Sequence, residues 1–192
     1  PFSPGSASEQ AQGRMAKTLT ATASLDDYRA IQGVAKRVLE RLGSSLHPED
    51  TERSVACRAA SYLREAGFPE TWYYDCPAFV LLGSRSCASM SGRSYRPAEE
   101  TVGNHNLVTV DLSPRRDEVW GDCARSFCIE DGRWAVAPTD VDFADGLAVE
   151  HALHRWLVAT ATPDCTASSL FEAANVEIGR AGYVNLDFAG NV

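Results

Sequence analysis

The sequence predicts an α/β (α+β) fold built from two similar halves, each a pair of helices followed by an antiparallel sheet. Amphipathic helical patterns occur in two pairs, and a strand-rich stretch lies between the pairs. Sliding the 192-residue chain by 115 positions also superposes the first helix pair on the second. Because no further strands follow the second pair, we expect the second half to be incomplete.

The first half begins with two amphipathic helices. Ser24 is a suitable N-cap because Asp27 follows three residues later, and Gly43 is expected to stop this helix. The second helix is expected to begin near residues 48–51, where a proline and a threonine suit a helix start, and to end at Gly67. These two helices should bury their apolar faces against a sheet.

A β-hairpin is expected to follow. Residues 107–112 and 120–127 are strand-like runs, and residues 114–118 between them form a polar turn. This pairing would bring Asp111 and Asp122 opposite each other. Carboxylates on directly paired positions lie about 5 Å apart, and they repel unless one is protonated or a cation lies between them. The hairpin therefore predicts half of a metal site, since carboxylate oxygens suit divalent cations.

Both aspartates could instead be solvated surface residues, as most acidic residues are. Asp111 ends an apolar run, however, and a carboxylate that shares a face with buried neighbours needs a partner. The nearby sequence does not supply such a partner. We therefore prefer the metal site as the interpretation of this pair.

The second half repeats the helices at residues 140–160 and 166–179. In the repeat, Leu42 falls on Leu157 and Thr51 falls on Thr166. Chance matches between amphipathic helices are an alternative to duplication. Helices without a sheet against them would expose their apolar side chains, and the expected exposed set is Leu153, Trp156, Leu170 and Ile178.

Composition limits the partners and the compartment. The net charge of −8 and the lack of a basic stripe argue against a nucleic-acid partner. No apolar run approaches the roughly 20 residues that a membrane span needs, and no signal peptide is evident, so we expect a cytoplasmic protein. Its six cysteines form no Cys-x-x-Cys pair and are expected to be reduced. Residues 1–22 are small and polar and should form a flexible arm, leaving residues 23–192 as the domain.

The sequence gives less support to two other kinds of site, a histidine metal site and a catalytic cysteine. His151 and His154 are three residues apart on a predicted helix and could share a metal, but no carboxylate partners are evident. Cys123 follows Asp122 directly, and strand alternation should turn its thiol to the opposite face. Ordinary structural roles are therefore expected for these three residues.

The order of these elements resembles the pita-bread metallopeptidase family of methionine aminopeptidase, aminopeptidase P, prolidase and creatinase. The resemblance extends from about Ser24 and is carried by the helix pair ending at residues 65–68, by the strand that closes at Asp111, and by residues 121–127 (Gly-Asp-Cys-Ala-Arg-Ser-Phe). Residues 112–114 and the segment around Trp72 are most similar to the branch of aminopeptidase P, prolidase and creatinase. A pita-bread fold with an incomplete second half is therefore expected.

The resemblance implies a centre of two divalent ions (Mn, Co, Zn or Fe) to which Asp111 and Asp122 are ligands, Asp122 bridging them. His105, Arg93 and Arg125 are candidates for contact with the substrate or for supporting the ligands. The family's other ligands, a histidine and two glutamates, follow the fourth helix in strands that are missing here. The chain also departs from the family by carrying alanine where a threonine is usual, two residues after Asp122, and residues 93–97 in place of a substrate-facing histidine.

The implied activity is hydrolysis of a short peptide or small amide by a metal-bridged hydroxide. The substrate would be a small molecule or peptide, and a homodimer is possible within this class. Two alternatives remain open: a catalytically inactive module used for binding or scaffolding, and a biosynthetic enzyme that uses the fold for other metal-dependent chemistry.

Overall fold

The computed structural model of the protein describes residues 23–88 and 90–186. These residues form four α-helices, seven β-strands and one short 3₁₀ helix. In chain order the elements are α1 (Leu25–Gly43), α2 (Glu52–Glu65), β1 (Glu70–Thr71), β2 (Ala78–Leu82), the 3₁₀ helix (Gly83–Cys87), β3 (Asn106–Leu112), β4 (Pro114–Arg116), β5 (Val119–Trp120), β6 (Cys123–Glu130), β7 (Arg133–Trp134), α3 (Val141–Thr160) and α4 (Ala167–Arg180). The arm expected at residues 1–22 lies outside the described residues.

The strands form two antiparallel sheets within the described residues. The larger has the order β2-β3-β6-β7, and the smaller has the order β1-β4-β5. Helices α1 and α2 contact each other and cover one face of the larger sheet. The predicted mixed class with paired helices and antiparallel strands is confirmed.

The helix starts follow from local hydrogen bonds. The Ser24 hydroxyl accepts a hydrogen bond from the backbone N–H of Asp27, and the Asp27 carboxylate accepts one from the backbone N–H of Ser24 at 2.9 Å. Thr51 and Ser54 form the same reciprocal pair at the start of α2. Each pair satisfies two N–H groups that the helix itself leaves without partners.

Gly43 is the last residue of α1, but close packing explains the need for glycine at this position better than helix termination does. It is buried, and a Cβ added there would lie 2.6 Å from the Phe127 ring and 2.8 Å from the Trp134 ring. The two rings meet edge to face at 5.2 Å. Glycine therefore lets α1 approach β6 and β7 closely.

Gly43→Ala is expected to lower the free energy of unfolding by about 1–3 kcal/mol, because the added methyl group overlaps two packed rings. Urea denaturation followed by circular dichroism measures the change. Gly33→Ala is the matched control in the same helix, where the new Cβ would meet only the flexible end of Arg37. The control should raise stability by about 0.5–1 kcal/mol, and equal effects at the two positions would contradict the packing argument.

The second helix pair reproduces the first at a constant spacing. Helix α4 begins and ends 115 residues after α2, and Thr166 and Ser169 repeat its reciprocal capping pair. Gly67 and Gly182 follow these helices with φ of 87° and 82°, so both ends turn in the same left-handed conformation. The predicted duplication of the helix pairs is confirmed.

Helices α3 and α4 contact each other and contain no fully buried residue. The four side chains expected to be exposed are half-buried instead, because the two helices cover part of each other: Leu153, Trp156, Leu170 and Ile178. The exposed large apolar side chains of these two helices are Val141, Leu157, Val158, Phe171 and Val176. Within the described residues, no helix is long and apolar enough to cross a membrane.

The strand predicted at residues 120–127 is interrupted. Trp120 ends β5 in the smaller sheet, and β6 starts at Cys123 in the larger one. At the crossing, the Gly121 carbonyl accepts a hydrogen bond from the Trp72 indole at 2.8 Å, and the Asp122 carbonyl accepts one from the Gln32 side chain at 3.0 Å. Side chains distant in sequence thus replace the strand ladder at this point.

Candidate metal centre

The two faces of the larger sheet have different environments. Val108, Val110 and Leu112 of β3 point into the core beneath α1 and α2. Alternation along the strand turns Thr109 and Asp111 to the other face, which those helices do not cover. A cavity of about 300 Å³ lies on this second face.

Asp111 and Asp122 both line this cavity. Asp111 pairs with Ala124 of β6, and Asp122 lies two residues before Ala124, so the aspartates are diagonal neighbours. The prediction that Asp111 and Asp122 lie directly opposite each other is therefore wrong: the register differs by two residues, because the chain crosses between the sheets at Gly121. The two carboxyl groups nevertheless lie within hydrogen-bonding distance of each other.

The two carboxyl groups interact strongly. Desolvation in the cavity, the charge of Asp122 and a hydrogen bond between the two carboxyl groups together raise the pKa of Asp111 to about 7. A hydrogen bond from the Leu112 backbone N–H opposes this shift. Without a cation, the pair therefore retains a proton near neutral pH.

A divalent cation fits this donor set. Carboxylates that must otherwise share a proton gain from a positive charge between them, and hard oxygen ligands suit Mn²⁺, Zn²⁺ and related ions. The pair supplies only part of a coordination sphere. Within residues 23–88 and 90–186, no group of three or more histidine, cysteine, aspartate or glutamate side chains is placed to hold a metal.

The shared proton predicts a pH dependence of stability. Asp111 binds its proton more tightly in the folded protein than at its ordinary pKa of 3.8 in the unfolded chain. Stability of the metal-free protein should therefore fall as pH rises from about 4 to about 7, and level off above that. Urea midpoints measured in EDTA should show a smaller fall for Asp122→Asn, in which one source of repulsion is gone. Asp164→Asn, an exposed loop change, should follow the parent, and identical profiles for all three proteins would refute the coupling.

Several cavity residues were not singled out as site residues from the sequence. Aromatic rings of Trp72, Tyr73 and Phe79 form one side, and the hydroxyls of Thr109 and Ser113 lie among the polar groups. Thr109 could have been found, because it precedes Asp111 by two residues on the same strand face. The aromatic residues come from a different segment, and no local pattern ties them to the aspartates.

Two cysteines near the aspartates do not favour nucleophilic catalysis. Cys123 is buried in the core on the opposite face from the cavity, as alternation predicted. Cys76 lines the cavity, and burial raises the pKa of its thiol to about 11, so it stays protonated at neutral pH. All six cysteines are unpaired.

The structure places His105 far from the aspartates. It precedes β3, whereas Asp111 is near the other end of that strand, about 20 Å away at 3.3 Å per residue. Its imidazole lies 3.3 Å from the Asp140 carboxylate and stacks on Phe143. His105 therefore joins β3 to the start of α3, and a role beside the aspartates does not fit this position.

The two candidate arginines also lie outside the cavity lining. Arg125 pairs with Val110 on the helix-covered side of the sheet, because it alternates with Ala124. The Arg93 guanidinium lies 4.6 Å from the centre of the Tyr74 ring, which in turn packs against Tyr73. Arg93 thus reaches the aromatic side of the cavity only through Tyr74.

A second cavity, of about 320 Å³, lies between α1, β6 and α3. Its lining includes Arg125, Glu150, His151 and His154. His154 lies 4.0 Å from Glu150, too long for a strong ion pair. The two histidines thus share a face, as their spacing predicted, and no metal-binding cluster surrounds them among the residues that the structure describes.

Fold and cavity together define a class of protein: a mixed α/β domain with a pair of carboxylates in a cavity on the open face of its larger sheet. The model of metallopeptidase family M24 matches residues 26–190. The chain therefore belongs to metallopeptidase family M24. No curated protein gives a significant sequence match.

Solved structures agree on the fold. The chain is similar to X-Pro aminopeptidase from Thermotoga maritima (18% identity, TM-score 0.66), covering 82% of this chain and 41% of that one. It is also similar to dipeptidase PepE from Mycobacterium ulcerans (19%, TM-score 0.68, covering 88% and 42%). A third match is Xaa-Pro dipeptidase from Bacillus anthracis (18%, TM-score 0.67, covering 82% and 41%). The chain spans about two fifths of these proteins, which supports the pita-bread fold with an incomplete second half.

Proposed function

We propose that this chain forms part of a metal-dependent hydrolase of the aminopeptidase P, prolidase and creatinase type. The observation that carries the proposal is the Asp111–Asp122 pair in a cavity on the uncovered sheet face. Membership of metallopeptidase family M24 supports the metal dependence of the proposed hydrolase. The substrate class is a short peptide or a small amide.

The roles of the chain's own residues follow from their positions. Asp111 and Asp122 would hold two divalent ions, as the resemblance implies. Bound ions of this kind polarise a carbonyl and lower the pKa of a water molecule. For them to bind, Asp111 must release its proton, so metal affinity should decline as pH falls below about 7. Thr109 and Ser113 offer hydroxyls that can orient a ligand in the cavity.

A complete centre needs further ligands and a further sheet. The duplication indicates where the sheet would lie: Leu42 of α1 is fully buried in the core against the larger sheet, whereas its counterpart Leu157 of α3 is 43% exposed. We infer that strands from this polypeptide or another chain cover that face. They would carry the histidine and two glutamates that the resemblance implies.

A non-catalytic binding module remains the second candidate. Ala124 faces the same cavity as the aspartates, in the position where the family usually has a hydroxyl. A domain that has lost polar groups at its centre can keep its fold and serve as a binding surface. Other metal-dependent chemistry on the same fold, in a biosynthetic pathway, is the third.

The deciding experiment uses the protein purified from its natural source. Intact mass establishes the length of the polypeptide, and Xaa-Pro dipeptides and a creatine-like amide are then assayed with Mn²⁺, Co²⁺ or Zn²⁺. We expect metal-dependent hydrolysis that EDTA abolishes, from a polypeptide longer than 192 residues. Metal binding without turnover would favour the binding module. Turnover by a polypeptide of 192 residues would show that other residues complete the centre.

The remaining properties are proposals of the same kind. We propose that the protein acts in the cytoplasm on small substrates, as a homodimer, without nucleic-acid or membrane partners. The net charge of −8 supports the exclusion of nucleic acid.

A further inference from the structure

The cavity of about 320 Å³ between α1, β6 and α3, here called the α1–α3 cavity, has no part in the proposed hydrolase. It shares no lining residue with the cavity that holds the aspartates. Its size is at the small end of the range for ligand sites. Elements distant in sequence thus meet at a cavity to which the proposed function assigns no role.

Part of the lining is apolar and comes from each of the elements that meet here: Leu39, Phe127, Trp134, Val136 and Leu147. The Phe127 and Trp134 rings meet edge to face at 5.2 Å. The close approach of α1 at Gly43 holds both rings in place. The apolar part of a small ligand can therefore pack against a preformed aromatic surface.

Charged side chains of both signs line the same cavity. The basic ones are Lys36 of α1 and Arg125 of β6, and the acidic ones are Glu40 of α1 and Glu150 of α3. Among the described residues, Lys36, Arg125 and Glu40 form no ion pair. Glu150 has only His154, at 4.0 Å. These charges are therefore available to a ligand.

The two basic groups act on the same region of the cavity. Burial raises the pKa of the Cys123 thiol, and the charges of Arg125 and Lys36 oppose that rise, so both groups lie near the start of β6. Arg125 donates one hydrogen bond to the Ala124 carbonyl at 2.7 Å, which leaves most of its N–H groups for other acceptors. A carboxylate suits this pair, because a guanidinium can bind both carboxylate oxygens.

The balance of charges indicates the kind of ligand. A simple anion would be repelled by the two glutamates, and a simple cation would be repelled by the two basic groups. A zwitterion offers each sign a partner. An α-amino acid with an apolar side chain combines a carboxylate, an ammonium group and an apolar part in one small molecule. Glu150 is half-buried and Glu40 is exposed, so Glu150 is the better partner for the ammonium group.

We propose that the α1–α3 cavity is a binding site for a free amino acid with an apolar side chain. The carboxylate of the ligand contacts Lys36 and Arg125, and its ammonium group contacts Glu150. Its side chain packs against Phe127 and Trp134. Because the ligand contacts α3 as well as α1 and β6, its binding also holds the second helix pair against the first.

Calorimetry of the full polypeptide in EDTA tests the site with phenylalanine, with phenylalaninamide, which lacks the carboxylate, and with 3-phenylpropionate, which lacks the ammonium group. Phenylalanine should bind at least about fivefold more tightly than either, since each analogue loses a charge-assisted contact. Lys36→Gln should reduce the preference over phenylalaninamide to about twofold or less. Glu150→Gln should do the same to the preference over 3-phenylpropionate. Arg37→Gln removes an exposed charge next to Lys36 but outside the lining, and should keep both preferences.

Amide hydrogen exchange tests the location of the ligand. Saturating phenylalanine should slow exchange in α3, because the ligand joins this helix to α1 and β6. Equal binding of the three probes by the parent protein would overturn the proposal. Preferences that both Lys36→Gln and Glu150→Gln retain would overturn it as well, since the ligand would then lie elsewhere. Unchanged exchange in α3 would refute a site between the helix pairs. All of these results are independent of whether the protein hydrolyses peptides, because the probes bind without metal.

Discussion

Asp122→Asn is expected to lower the affinity for Mn²⁺ at least about 100-fold, because it removes a charged oxygen ligand where losing even a supporting group costs 10–100-fold. The pair depends on both members, since Asp111 alone would have no second carboxylate with which to share a proton or a cation. Isothermal titration calorimetry of the metal-free protein at pH 8 measures the loss. Circular dichroism should show intact helices, because the carboxylate faces the cavity rather than the core.

Asp164→Asn is the matched control for charge. It removes the same charge from an exposed loop between α3 and α4 and should bind Mn²⁺ like the parent. Equal Mn²⁺ binding by Asp122→Asn and the parent would refute the assignment of this pair as a metal site.

Glu52→Ala is expected to lower the free energy of unfolding by about 3–5 kcal/mol, because it leaves buried hydrogen-bond donors and a charge without partners. Glu52 is fully buried in the first turn of α2. Its carboxylate accepts hydrogen bonds from the backbone N–H groups of Leu82 (3.1 Å) and Ala98 (2.7 Å), and two from the Arg85 guanidinium. One side chain thus ties α2 to β2, to the 3₁₀ helix and to the loop before β3.

The comparison for Glu52 is another glutamate paired with an arginine. Glu99 contacts Arg53 at 2.7 Å with 69% of its side chain exposed, so Glu99→Ala should change stability little. Urea denaturation of both variants measures the difference. A loss at Glu52 no larger than at Glu99 would mean that the buried network does not hold these segments together.

Helices and their ends were predictable from the sequence because local interactions specify them. Ser24 with Asp27 and Thr51 with Ser54 form their hydrogen bonds within one turn, so the signal lies within four residues. The 115-residue spacing then extended the same prediction to α3 and α4. Strand β3 was predictable for a similar reason, since alternation alone separates its two faces.

The path of the chain through Gly121 was not predictable locally. It depends on the Trp72 indole and the Gln32 amide, which lie 49 and 90 residues away from the carbonyls that they bind. The aspartates were identified by their residue type and their place on strands, but their diagonal register depends on this crossing. His105 is only six residues before Asp111 in the sequence. Strand β3 is extended between them, so the two residues lie at opposite ends of the strand.

The location of the buried side chains has a consequence for how the molecule opens. Within the described residues, every buried apolar side chain lies between Ile31 and Ile129, and α3 and α4 contribute none. Amide protons in α1, α2 and β3 should therefore exchange with solvent only when the whole core unfolds. Those of α3 and α4 can exchange by separation of that hairpin alone, so the chain contains two units that open independently, with the boundary at residues 135–140.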